Sequence, residues 1–177
     1  MTTNGPRTGP RVIEPRVIEQ RGLYFEELEE GVVYAHRPGR TVTETDNVLF
    51  TTMTMNTQAL HLDAAWSAGQ PFGQRLMNSM FTLATVVGQS VPQLTQGTII
   101  AQLGLTDVSF PHPLYHGDTL YTETMVTGKR LSASRPGQGI VTMQHTGRNQ
   151  DGMVVYGLAP IGPAMWLYIT YEKMSVV

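Results

Sequence analysis

The sequence predicts an α+β fold, one long buried helix against a curved antiparallel sheet, and three observations carry that expectation. Apolar residues recur at intervals of three and four between Gly73 and Val91. After Gly97 the chain turns to Thr, Val, Ile and Tyr, the side chains that suit a pleated surface. The segments that follow are separated by short turn signals, so successive strands fold back on one another. A length of 177 residues suits one domain with a real core and excludes two large ones.

Taken in order, Met1 to Pro15 holds Arg7, Arg11 and three prolines without the apolar stretch of a signal peptide. Residues 1–21 are therefore expected to be a mobile leader, and 22–177 a single domain with an atypical 160–177 segment. RVIE occurs twice, at Arg11 to Glu14 and Arg16 to Glu19, too short a duplication for a repeat architecture. Tyr24 to Val33 is mixed and acidic, and Pro38-Gly39 reads as a turn. Thr43 followed by Asp46 resembles a capping box, which places a helix at about Glu44 to Thr54. Met55 to Leu62 shows no clean period and is expected to be a connection holding Asn56 and His61. Asp63 stands where a short second helix would begin.

The long helix, Gly73 to Val91, has a wide apolar face and is expected to be largely buried, with Pro92 following its end. Strands are expected over Thr98 to Leu105, Val108 to Phe110, Thr119 to Arg130, Gly139 to Arg148 and Met153 to Ala159. Within the third, Leu120, Thr122, Thr124 and Val126 share one face, and Tyr121, Glu123, Met125 and Thr127 the other.

Composition removes several function classes. Net charge is −2, with no cationic excess to follow a nucleic-acid backbone. Cysteine is absent, which excludes disulfides, thiolate catalysis and Cys-bound zinc and fits a reducing, cytoplasmic setting. Charged residues make up 15% and Thr occurs 22 times, so the polar groups are largely uncharged. The uncharged runs Leu76 to Thr106 and Gly152 to Tyr171 are broken by prolines and glycines, so they read as core and not as membrane spans. Nucleotide-binding glycine motifs are missing, and His112, His116 and His145 lack metal-ligand spacing, so no metal site is expected.

Phe50 to Asp63, FTTMTMNTQALHLD, resembles the hydratase signature of the MaoC-like dehydratases, SGDxNPxHxD. Phe72-Gly73, Leu76-Met77-Asn78-Ser79-Met80, and Phe110-Pro111 through Gly117-Asp118-Thr119-Leu120 are similar to that family's central helix entry and strand connection. The resemblance covers about Gly22 to Ala159. Ser134-Arg135-Pro136 with Gly139-Ile140-Val141, and Asn78-Ser79, are similar to a subgroup acting on branched dicarboxylic CoA thioesters of the mesaconyl type. It implies a hot-dog fold and a hydratase or dehydratase of enoyl-CoA or 3-hydroxyacyl-CoA thioesters. Coenzyme A would be the substrate's carrier, with no metal or redox cofactor, and the protein a homodimer joined sheet edge to sheet edge. The rivals are an acyl-CoA thioesterase on the same fold and a non-catalytic acyl-CoA-binding subunit.

On that resemblance the catalytic pair is His61 and Asn56. His61 would exchange protons near neutral pH, as an imidazole can. Asn56 stands where the family has Asp, and an amide cannot act as a base; it either holds water or His61 by hydrogen bonds or only caps the helix before it. Met55 and Ala59 replace the signature's Gly and Pro, and Pro160 to Val177 has no family counterpart. Asp46, Glu44 and Asp63 are the carboxylates nearby. Asn78 and Ser79 either initiate the central helix or, through the backbone N–H near Ser79, polarise the thioester carbonyl. Arg130 and Arg135 are candidates for the phosphates of coenzyme A.

Overall fold

Strands form here where branched and aromatic side chains alternate with polar ones. The computed structural model describes residues 14–157 and 164–170. In it the strands are β1 (Val33–Thr41), β2 (Ile99–Thr106), β3 (Thr119–Leu131), β4 (Gln138–Arg148), β5 (Val154–Tyr156) and β6 (Ala164–Thr170). Between β1 and β2 lie helices α1 (Glu44–Met53), α2 (Ala59–Leu62), α3 (Ala64–Ala68) and α4 (Ser79–Leu94). The sheet runs β1-β3-β4-β6-β2 with every pair antiparallel, and β5 shares with β6 the edge of β4 opposite β3.

Several elements depart from the sequence expectation, each for a physical reason. Pro38-Gly39 lies inside β1, not at a turn before a helix: the pairing with β3 breaks between His36 and Arg40, and this bulge accommodates a residue with no N–H to give. Residues 164–170, within the segment without a family counterpart, form an inner strand. No strand covers Val108 to Phe110; there the Ser109 carbonyl accepts the Gly157 N–H at 3.0 Å. Most of the Met1 to Pro15 leader lies outside the described residues.

α4 starts later than its apolar pattern, because Asn78 is in extended conformation and its side chain accepts the Met80 N–H. Met77 N–H goes instead to the Leu114 carbonyl, and Leu76 bridges Tyr115. Pro92 sits in the last turn of α4. There its missing N–H costs one helical bond and the helix ends two residues on. The helix is not buried all round: Phe81, Thr82, Thr85, Val86, Ser90 and Leu94 face inward, while Met80, Ala84 and Gly88 are exposed. Half of that inward face is hydroxyl-bearing, which an apolar count overlooks. Gly147 on β4 lets α4 approach, since a Cβ there would meet Val86 Cγ2 at 2.8 Å.

Two of these hydroxyls turn back on the helix, Thr82 Oγ1 donating to the Asn78 carbonyl at 3.3 Å and Ser90 Oγ to the Val87 carbonyl at 2.7 Å, and β3 adds inward threonines of its own. Leu120, Thr122, Thr124 and Val126 are all buried, as alternation predicts. Leu120 belongs to an apolar cluster with Val86, Met77 and Tyr156, and Val126 to another with Leu94, Met143 and Leu167. Thr122 and Thr124 lie between them and found a polar seam. Gln93 Oε1 accepts from His36 Nδ1 at 2.8 Å, so His36 Nε2 is the acceptor that receives the Thr124 hydroxyl at 2.8 Å. Thr124 Oγ1 in turn accepts from His145 Nδ1 at 2.6 Å. His145 Nε2 has no partner among the described residues. Burial holds the His145 imidazole down to about 4, with His36 a lesser contributor, and burial also lowers that of His36.

Candidate active site

The chain reaches His61 through a tight sequence of caps. Thr43 and Asp46 form the expected capping box of α1. At the other end Met55 N–H bonds Thr52 O and Asn56 N–H bonds Thr51 O, both at 3.0 Å, and Met55 is left-handed with φ 54°. That is a Schellman closure with methionine where glycine is easiest. Asn56 Oδ1 then accepts the Gln58 N–H at 3.0 Å, turning the chain into α2. His61 lies in this short helix and not on an irregular connection.

His61 is buried, and its Nδ1 donates to the Leu76 carbonyl at 3.0 Å. This tie fixes the tautomer and leaves Nε2 as the nitrogen able to take a proton. The imidazole lines a cavity of about 440 Å³ whose walls include Phe72, Met77, Phe110 and Leu114. Polar groups in that lining are His61, Ser79, Thr82 and His112. Ser79 is the first residue of α4, where a backbone N–H has no acceptor within the helix.

Asn47, which the sequence reading passed over, holds the site together. It is fully buried on α1. Its Nδ2 faces His61 O at 3.0 Å, Leu76 O at 3.1 Å and His116 Nε2 at 3.0 Å, and its Oδ1 accepts the Asn78 N–H at 2.9 Å. One side chain thus ties α1 to α2, to the carbonyl that holds His61, and to the entry of α4. A visible signal was an asparagine, a residue that disrupts helices, inside an otherwise well-capped helix.

The remaining expected residues are placed elsewhere. Asn56 does not line the cavity. Asn78 caps α4 and its Nδ2 donates to Thr51 Oγ1 at 3.2 Å, so of the Asn78-Ser79 pair only Ser79 borders the cavity. The carboxylates are engaged: Glu44 pairs with Arg75, which lowers its pKa, Asp46 with Arg40, and Asp63 caps α3 through the Trp66 N–H. Arg130 is exposed on a separate concavity with Lys129 and Ile140, about ten residues up β3 from Leu120, or roughly 30 Å of strand. Arg135 lies at the far turn, its N–H on Ser132 Oγ. Neither meets His61 within one chain. No group of three or more metal-ligating side chains gathers among the described residues.

Residues 27–149 match a family described as the MaoC like domain. The chain belongs to the MaoC-like dehydratase family. It is 31% identical over 133 residues to a mesaconyl-CoA hydratase of Haloarcula marismortui, a match covering 75% of this chain and 37% of that protein. A beta-methylmalyl-CoA dehydratase of Chloroflexus aurantiacus is 32% identical over 141 residues, 76% of this chain and 38% of the other. The chain therefore spans under two fifths of these relatives. A conserved hypothetical protein of Mycobacterium tuberculosis, described as a double hotdog fold, superposes with a TM-score of 0.75 at 24% identity over 90% of this chain and 48% of that one. The fold is a hot-dog fold, α+β, as the resemblance implied. On this MaoC-like frame the signature's glycine falls at the left-handed Met55 and its acid at Asn56.

Proposed function

We propose that this MaoC-like chain is a hydro-lyase that adds water across the double bond of an enoyl-CoA thioester, or removes it from the 3-hydroxyacyl-CoA. The observation that carries this reading is His61: one nitrogen fixed on the Leu76 carbonyl, the other open to an apolar cavity beside the first residue of α4. His61 Nε2 takes the proton of the attacking water as oxygen bonds to the β-carbon. The Ser79 N–H, at the helix start, stabilises the enolate that develops on the thioester oxygen. Apolar walls exclude competing water and suit an acyl chain. Addition of water changes no oxidation state of the protein and calls for no redox cofactor; coenzyme A is the substrate's handle. Asn56 serves by shaping the turn into α2.

A branched dicarboxylic acyl group of the mesaconyl type is the finer proposal, supported by the names of the curated relatives. The assembly proposed is a homodimer. Its support is β2, a sheet edge that exposes Ile99, Ile100 and Leu103. No helix among the described residues is long and apolar enough to cross a membrane. The setting proposed is the cytoplasm, supported by the absence of cysteine.

The assay mixes the protein with crotonyl-CoA and mesaconyl-CoA and follows enoyl absorbance and free thiol separately. Absorbance loss without thiol is expected. Thiol release would instead identify a thioesterase, and binding with neither change a non-catalytic subunit.

A further inference from the structure

We propose that His112 is the second proton-carrying group of the His61 cavity, holding the part that the family's signature gives to a carboxylate. The proposal rests on the hydro-lyase reading. Hydration requires a proton to leave water and a proton to reach the α-carbon, and among the described residues no Asp or Glu lines this cavity. Asn56 cannot supply one, since an amide does not titrate. Glu44, Asp46 and Asp63 are turned to Arg75, Arg40 and the α3 cap.

His112 lines the same cavity and mirrors His61 in how it is held. Its Nδ1 faces the Val154 carbonyl at 3.0 Å, the distance at which His61 Nδ1 faces the Leu76 carbonyl. A carbonyl only accepts, so both rings keep a hydrogen on Nδ1 and both change charge at Nε2. Pro111 and Pro113 flank His112 and restrict its backbone, so its position is set before substrate arrives. The two rings differ in exposure: His61 is buried, whereas His112 is exposed at the rim and can exchange protons with solvent.

The step balances. Water oxygen bonds the β-carbon while its proton passes to His61 Nε2, and the π pair of the double bond moves onto the thioester as an enolate. The enolate then takes the Nε2 proton of a His112 imidazolium at the α-carbon. His61 ends protonated and His112 neutral; solvent at the rim returns the pair to its starting state.

The test is His112→Gln, whose amide can still donate to the Val154 carbonyl but cannot carry a proton. Turnover number should fall by at least about 100-fold with KM and melting temperature unchanged. It should do so with crotonyl-CoA, which has no second carboxylate, as well as with mesaconyl-CoA. His112→Ala opens space at the rim, and added imidazole should restore part of its rate. Unchanged kcat in His112→Gln overturns the proposal, and so does a loss confined to KM or to mesaconyl-CoA, which would make His112 a reader of the substrate carboxylate. If the unaltered protein hydrates neither thioester, the hydro-lyase reading fails, and this proposal with it.

Discussion

The two ends of α4 meet imidazoles of opposite kinds. At its start, beside Ser79 and Thr82, His61 and His112 border a cavity, each with one nitrogen on a main-chain carbonyl and the other without a hydrogen bond among the described residues. Toward its end, a chain runs inward from the exposed Gln93 through His36 and Thr124 to His145, which is fully buried. The same side chain is the proposed proton carrier in one place and a buried, hydrogen-bonded strut in the other. What separates them is the second nitrogen: in His36 it is bonded, in His145 it is sealed away from water, and in His61 it faces room for a substrate.

The largest difference should come from removing one imidazole at the cavity. His61→Ala is expected to lower turnover at least about 100-fold in a variant that still folds, with a stability cost on the order of 1 kcal/mol for the one side-chain bond its ring makes to the rest of the fold. Near wild-type turnover in a folded variant would end the mechanism.

The seam should respond to pH in stability rather than rate. Folded His145 is held neutral, with a pKa near 4, while the unfolded chain takes up a proton near the ordinary 6.5. Its contribution is therefore complete above about pH 6.5 and is lost as pH falls toward 4. Urea unfolding at pH 5 should show about 2 kcal/mol less stability than at pH 7.5 from this group, with His36 adding in the same direction. A His145→Leu variant that kept the full slope would move the effect elsewhere.

Asn56→Ala should separate the turn from the chemistry. Losing the acceptor for Gln58 N–H is expected to cost about 1 kcal/mol, with a turnover loss smaller than that of His61→Ala. Asn56→Asp keeps the acceptor and should keep the stability. A rate loss in Asn56→Ala as large as that of His61→Ala would put the amide among the reacting groups. The smallest effect belongs to Met55→Gly. Relief of the left-handed strain, about 1 kcal/mol, exceeds the glycine's entropy cost, so stability should rise by about 0.5 kcal/mol at this exposed site. A lower midpoint would show that the methionine side chain packs.

Local chemistry was legible in the sequence. Thr43 with Asp46, Asp63 before Trp66, and the alternation from Leu120 to Val126 each act within a few residues, and each appears as expected. His61 stood out through its spacing within a signature, and the structure places it on the wall of a cavity. What stayed hidden depends on distant partners. β1 was obscured because Pro38-Gly39 reads as a turn unless β3 is there to accommodate a bulge. The inward Thr122 and Thr124 of β3 look polar until Gln89 of α4, His36 and His145 are set against them. Asn47 bonds four groups contributed by three separate segments, and His112 acquires its carbonyl only when β5 is in place.

The strand order has a consequence for biosynthesis. β2 is attached to the sheet through β6, a strand made much later in the chain. On a translating ribosome, β2 emerges with Ile99, Ile100 and Leu103 before the segment that pairs with it has been synthesised. For that interval the nascent chain carries an apolar strand with both edges open, the form in which polypeptides most readily join the wrong neighbour. Closure of the sheet thus waits on residues 164–170, and slow elongation between the two strands lengthens the period during which a chaperone has something to hold.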